Sequence, residues 1–72
     1  MKNKYNLFIT LKNELESYEK QGTKISFKGE YVPAEYAAMM CAFREKASFM
    51  RDYIFDDKGK ITEVRFDQIR LY

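Results

Sequence analysis

The sequence is poor in the residues on which catalysis and metal binding most often depend. Its 72 residues include no histidine, no tryptophan and one cysteine, Cys41. Without histidine the chain lacks the commonest general base and the commonest metal ligand, and one thiol excludes an internal disulfide and a cysteine-rich zinc site. We expect the acidic residues Glu45 and Asp52 to disfavour the Cys41 thiolate. We therefore predict no enzyme activity, no metal, no cofactor and no small-molecule substrate.

Long apolar runs are missing as well. The basic start of the chain is not followed by the run of about 7–15 apolar residues found in secretory signals. The stretch Leu7–Leu11 is too short for one, and Lys12 and Glu14 end it. No segment reaches the length of a membrane-spanning helix. We expect no membrane association and, with one reduced thiol and no export signal, a cytoplasmic location.

The overall composition is typical of a small folded domain. Hydrophobic residues make up 46% and charged residues 33%, which is too apolar for a disordered tail and too charged for a membrane segment. The length allows one domain, residues 1–72. Because a domain of this size buries only about 60% of its chain surface, it needs unusually good packing or a partner. The 6 Tyr and 6 Phe can supply either a well-packed core or a surface that a partner contacts.

Helical spacing marks the first segment, where apolar residues recur three and four positions apart: Phe8, Leu11, Leu15 and Tyr18. This predicts a helix from about Asn3 to Gln21, ended by Gly22. Because Tyr5, Leu7 and Ile9 alternate, a short strand is the alternative for the first few residues.

The second segment, residues 23–32, alternates apolar and polar residues. Ile25, Phe27 and Tyr31 fall on alternate positions, which favours one strand with one buried face. The alternative is a short hairpin turning at Lys28-Gly29, although Lys-Gly is a weaker turn pair than Asn-Gly.

The third segment begins at Pro33, which suits the first position of a helix. Since no further Gly or Pro occurs before Gly59, we predict one helix to about Phe55, roughly 33 Å long at ~1.5 Å per residue. Its apolar residues cover about 200° of the helix circumference, twice the arc that one neighbour requires. They form two adjoining stripes: Tyr36, Met39, Met40, Phe43, Ala47, Met50 and Ile54, and Ala38, Ala42, Phe49 and Tyr53. The prediction is a helix that contacts two neighbours.

The fourth segment starts with a turn at residues 56–59 and continues as a strand. The adjacent acids Asp56 and Asp57 do not match the alternating acids of a calcium loop, so we interpret them as part of a helix-to-strand turn. Val64 and Phe66 alternate with charged residues, as in a half-buried strand. Ile69 and Leu71 have the opposite register, which predicts either a bulge or a tail that leaves the sheet.

These segments predict an α+β fold of helix, strand, helix and strand, with a minimal two- or three-stranded sheet covered by two helices. The strands of the second and fourth segments are parallel if they are neighbours in the sheet. Since such a sheet has unpaired edges and the long helix a second apolar side, we predict a non-enzymatic protein–protein interaction or regulatory module that binds a partner or forms a homodimer. The candidate interaction face consists of Phe49, Tyr53, Met39 and Ala42.

A nucleic-acid-associated accessory protein is the alternative function. Its candidate contacts are the four arginines, Arg44, Arg51, Arg65 and Arg70. Acidic residues such as Asp52, Glu63 and Asp67 lie between them, so a solvated mixed-charge surface is favoured over a phosphate-binding one. The composition, rich in Lys, Tyr and Ile, fits an accessory protein of an AT-rich bacterial or phage genome.

Overall fold

Residues 4–43 and 48–69 are described by a computed structural model of the chain. In chain order the elements are α1 (Lys4–Lys20), β1 (Lys24–Phe27), β2 (Glu30–Tyr31), α2 (Ala34–Phe43), β3 (Ser48–Phe55) and β4 (Ile61–Ile69). The predicted α+β class is confirmed. The sheet, however, has four strands in place of the two or three expected.

The sheet has the strand order β2-β1-β4-β3. Its two central strands, β1 and β4, are parallel, with Ile25 beside Val64 and Phe27 beside Phe66. The parallel pairing agrees with the prediction for neighbouring strands. The outer pairs, β1–β2 and β3–β4, are antiparallel, so the two-residue β2 and the eight-residue β3 form the edges.

Residues 24–31 form a hairpin, so the single strand favoured from the sequence is wrong and the alternative is confirmed. Lys28 and Gly29 both have positive φ, 53° and 88°, as a type I′ turn requires. The Lys28 amide donates a hydrogen bond of 2.8 Å to the Phe66 carbonyl, which helps to hold this unfavourable conformation. Tyr31 pairs with Ser26, not with Phe27, and is 68% exposed, so it does not share the buried face that the alternation predicted.

The predicted helix from Pro33 to about Phe55 is wrong. Helix α2 ends at Phe43, and residues 48–55 form strand β3, which pairs with β4 along its whole length. Phe49 and Tyr53 lie four residues apart, a spacing that places two side chains on one face of either a helix or a strand. In the hairpin with β4, the backbone of this segment forms a ladder of hydrogen bonds. This pairing between the strands selects the strand over the helix.

The β3–β4 hairpin contains one bulge. Ile54 lies opposite Glu63 and Phe55 opposite Ile61, so β4 has an extra residue, Thr62, whose hydroxyl donates to the Ile54 carbonyl at 3.2 Å. The extra residue lets Ile61 pack against the core. The sequence predicted an irregularity near Ile69, but the pairing there is regular, and Leu71 lies outside the described residues.

Residues 56–59 form the expected turn, but it joins two strands, not a helix to a strand. The Asp56 carboxylate accepts hydrogen bonds of 2.9 Å from the amides of Lys58 and Lys60. The carboxylate therefore holds the turn closed, in the manner of Asx turns.

Both helices cover the same face of the sheet, and the core lies between the helices and that face. Leu15 of α1 and Val64 of β4 have no exposed surface. The predicted helix of the first segment is confirmed as α1, although the expected start at Asn3 lies outside the described residues. The end of α1 also fixes the start of α2, because the Glu19 carboxylate accepts a 2.9 Å hydrogen bond from the Ala34 amide.

Candidate functional site

Helix α2 carries small side chains on its inner side and large apolar ones on its outer side. The buried residues of this helix are all alanines: Ala34, Ala37, Ala38 and Ala42. On the outer side Tyr36 is 40% exposed, Met39 43% and Phe43 45%. We name these three residues the outer α2 face. The usual amphipathic helix has the opposite arrangement, with its large apolar residues facing the core.

The alanine side explains how α2 fits into the fold. Side chains of this size allow the backbone of α2 to lie close to α1 and β1, and Ala37 and Ala38 are completely buried there. Of the four residues predicted to form an interaction face, Ala42 therefore lies against the interior of the chain. Met39 points away from it.

Phe49 and Tyr53, the other two predicted residues, lie on β3 and contact other parts of the same chain. The Phe49 ring lies 5.2 Å from the Phe27 ring, and the Tyr53 ring lies 6.2 Å from that of Tyr18. The four predicted residues thus lie on two different elements and do not form one surface. Only Met39 belongs to the outer α2 face.

A groove runs beside the outer α2 face, between α2 and the β1–β2 hairpin. It has a volume of about 390 Å³ and is lined by Phe27, Lys28, Glu30, Val32, Tyr36 and Met40. The Tyr36 and Phe27 rings meet edge to face, with centroids 5.9 Å apart. We name this the hairpin groove. Sequence reasoning missed it because it exists only when residues 24–31 form a hairpin.

An aromatic row extends the outer α2 face towards the first turns of α1. The Phe43 ring lies 5.8 Å from that of Phe8, which lies 6.4 Å from that of Tyr5. Tyr5 is itself largely exposed. The apolar surface therefore continues from α2 onto α1.

Arg51, one of the predicted nucleic-acid contacts, is engaged within the fold. Its guanidinium donates hydrogen bonds to Glu14 at 2.8 Å and to the Tyr53 hydroxyl at 2.9 Å, and lies 5.4 Å from the centre of the Phe66 ring. Burial alone would lower the pKa of Arg51, but the Tyr53 hydrogen bond and the Glu14 charge outweigh it and raise the pKa. Arg51 therefore connects β3 to α1.

Arg65 lies on the other face of the sheet, which neither helix covers. Its guanidinium pairs with Glu63 at 3.3 Å, and its cross-strand neighbour is Asp52. Arg44 and Arg70 lie outside the described residues. Arg51 and Arg65, the two predicted contacts within the described ranges, thus do not share a surface, and both have acidic partners.

Cys41 is half-buried and packs against the core. Burial raises the pKa of the Cys41 thiol, and the positive charge of Arg51 lowers it to a smaller extent. The thiol is thus favoured over the thiolate by desolvation, and not by the acidic neighbours expected from the sequence. Of those neighbours, Glu45 lies outside the described residues.

Within residues 4–43 and 48–69, no three Cys, Asp or Glu residues lie close enough together to hold a metal ion. Neither α1 nor α2 is long and apolar enough to cross a membrane. No family model, curated protein or solved structure matches this chain.

Proposed function

We propose that this protein is a small non-enzymatic interaction module that forms a homodimer through the outer α2 face. The observation that carries the proposal is the outward position of Tyr36, Met39 and Phe43 on a helix whose inner side is alanine. A helix that is apolar on every side is normally buried on every side. Contiguous exposed apolar surface marks interaction sites in soluble proteins.

The size of this surface predicts a weak, reversible dimer. A large side chain has roughly 150–250 Å² to bury. At their exposed fractions, the three residues of the outer α2 face and Tyr5 each leave about 100 Å² in water, or roughly 400 Å² per subunit. A dimer would then bury about 800 Å² in total, which is below the area of most permanent complexes. We therefore expect dissociation in the micromolar range.

A second copy fits this surface because the order of its side chains is nearly symmetric. Along α2 the large residues are aromatic, methionine, methionine and aromatic: Tyr36, Met39, Met40 and Phe43. An antiparallel pair of α2 helices, related by a twofold axis between Met39 and Met40, would bring Tyr36 next to Phe43 of the partner subunit. Methionine would then meet methionine, whose flexible side chain adapts to irregular contacts. The single charged residue of α2, Glu35, lies near the end of the helix, so like charges do not oppose this pairing.

Sedimentation equilibrium from low micromolar to millimolar protein concentration tests the proposal. Met39→Lys places a charge in the centre of the outer α2 face and should abolish association. Met50→Lys is the matched control, since Met50 is a similarly exposed methionine, 48%, on β3. A protein that stays monomeric at all concentrations, or two variants that associate equally well, would overturn the proposal.

We further propose that the protein acts in the cytoplasm, because a chain with one cysteine forms no internal disulfide. Labelling of Cys41 in intact cells with a membrane-permeant and with a membrane-impermeant maleimide tests this. A thiol that is found oxidised, or that the impermeant reagent labels, would contradict it.

A further inference from the structure

The hairpin groove and the partly exposed Phe43 ring both lie at the outer α2 face. The groove takes two of its walls from α2, Tyr36 and Met40. Phe43 is seven residues after Tyr36, which separates the two positions by about 10.5 Å along the helix. Its ring is partly exposed, so α1 and the sheet leave one side of it uncovered.

We propose that the hairpin groove of each subunit receives Phe43 of the partner subunit, so that the dimer contains two identical ring-in-groove contacts. This inference rests on the proposed self-association and names the residues that determine it. The twofold arrangement described above places Phe43 of the partner subunit beside Tyr36 and Met40, at the mouth of the groove. In a twofold interface, every such contact occurs twice.

The groove has room for one aromatic side chain and rings for it to contact. Its volume, about 390 Å³, is at the lower end of the range for ligand clefts and exceeds that of a phenyl ring. Val32 and Met40 provide apolar walls. Phe27 and Tyr36 provide two rings already arranged edge to face, so a third ring can add a tilted or edge contact of the favoured kind.

The charged residues of the groove argue against a charged occupant. Lys28 and Glu30, which have opposite charges, line the groove together with the apolar residues. The two charges would act on a charged ligand in opposite directions, whereas a neutral ring is not subject to this conflict.

The first test compares Phe43→Ala with Phe55→Ala, the truncation of another exposed phenylalanine, which lies at the end of β3. Loss of a central aromatic anchor weakens binding by about 10-fold or more. Because the homodimer loses two such contacts, its dissociation constant should rise about 100-fold, whereas a mixed dimer with wild type should lose about 10-fold. Phe55→Ala should change the dissociation constant by less than about 2-fold.

The second test fills the groove instead of removing the ring. Val32→Phe places a phenyl group in the groove and should prevent self-association while leaving Phe43 intact. When Val32→Phe and Phe43→Ala are mixed, one intact ring meets one intact groove, so the mixed dimer should be tighter than either variant alone. Circular dichroism of each variant shows whether it remains folded, so that a loss of association is not mistaken for unfolding.

A third measurement is independent of any substitution. In a sample that mixes isotope-labelled and unlabelled wild-type protein, filtered nuclear Overhauser spectra should show contacts between the Phe43 ring of one subunit and the Val32 methyl groups of the other. A dimer without these contacts, in which Phe43→Ala has no more effect than Phe55→Ala, would overturn the groove contact and leave the α2 homodimer standing. A wild-type protein that never associates would overturn both.

Discussion

The Arg51 guanidinium lies between the Glu14 carboxylate of α1 and the Tyr53 hydroxyl of β3, at 2.8 and 2.9 Å. The same guanidinium lies over the Phe66 ring of β4. One side chain thus connects the edge strand to the helix that covers it and to the central strand beside it. Arg51, which the sequence predicted as a contact for nucleic acid, instead makes contacts that stabilise the fold.

Arg51→Ala should destabilise the protein by about 1–2 kcal/mol, since it removes a partly exposed ion pair and a cation–π contact. Urea unfolding followed by circular dichroism measures the change. Arg65→Ala is the matched control: Arg65 is the more exposed arginine and its contact with Glu63 is longer, at 3.3 Å, so the loss should be less than about 0.5 kcal/mol. Equal losses in the two variants would contradict the structural role of Arg51.

The type I′ turn at Lys28-Gly29 predicts that substitutions at its two positions change the stability of the protein in opposite directions. Lys28→Asn should stabilise the protein by about 0.5 kcal/mol, because asparagine adopts positive φ more readily than lysine. Gly29→Ala should destabilise it by about 1–2 kcal/mol. A Cβ at Gly29 would meet no atom within 4 Å, so this cost is conformational and not steric. Thermal unfolding of both variants checks the signs, and a neutral Gly29→Ala would contradict the type I′ turn.

Burial of Cys41 predicts a loss of stability at alkaline pH. Because burial raises the pKa of this thiol in the folded state, the folded protein holds the proton more tightly than the unfolded chain does. The stabilisation is therefore complete below the ordinary thiol pKa of about 8.5 and declines as the pH rises through the folded pKa. Cys41→Ala should make the free energy of unfolding less dependent on pH above about 8.5. If the free energy of unfolding depends on pH equally in Cys41→Ala and in the wild-type protein, burial does not raise the pKa of the Cys41 thiol.

Binding to nucleic acid should be weak and should not depend on Arg51 or Arg65. The two arginines lie on opposite faces of the sheet and each has an acidic partner. Fluorescence anisotropy with single-stranded and duplex DNA at low ionic strength measures binding. Tight binding that falls steeply with added salt, and that both arginine substitutions weaken, would favour the nucleic-acid function over the interaction module.

The sequence predicted α1 because most of this segment follows helical spacing, although its first few residues also fit a strand. The spacing of Leu11 and Leu15 with their neighbours fits a helix, and Gly22 ends it with a φ of 89°. The segment after Phe43 was predicted wrongly because residues four apart share a face in helices and strands alike. Only its pairing with β4, a contact between distant parts of the chain, distinguishes the two.

Of the residues predicted to form the interaction face, Met39 lies on the outer α2 face and Ala42 is buried. Hydrophobicity did not reveal which side of α2 faces the core, because both sides are apolar. Side-chain volume decides this, since the narrow space between α1 and β1 admits alanine and excludes Phe43.

The position of β4 has a consequence for the order in which the protein folds. Among the described elements β4 comes last along the chain, yet it occupies the middle of the sheet, between β1 and β3. During synthesis, α1 and the β1–β2 hairpin emerge while the strand that completes their core, with Val64 and Phe66, has yet to be made. Tertiary structure must therefore await contacts between residues far apart in the chain, which slows folding and leaves the partner edge of β1 exposed on the nascent polypeptide.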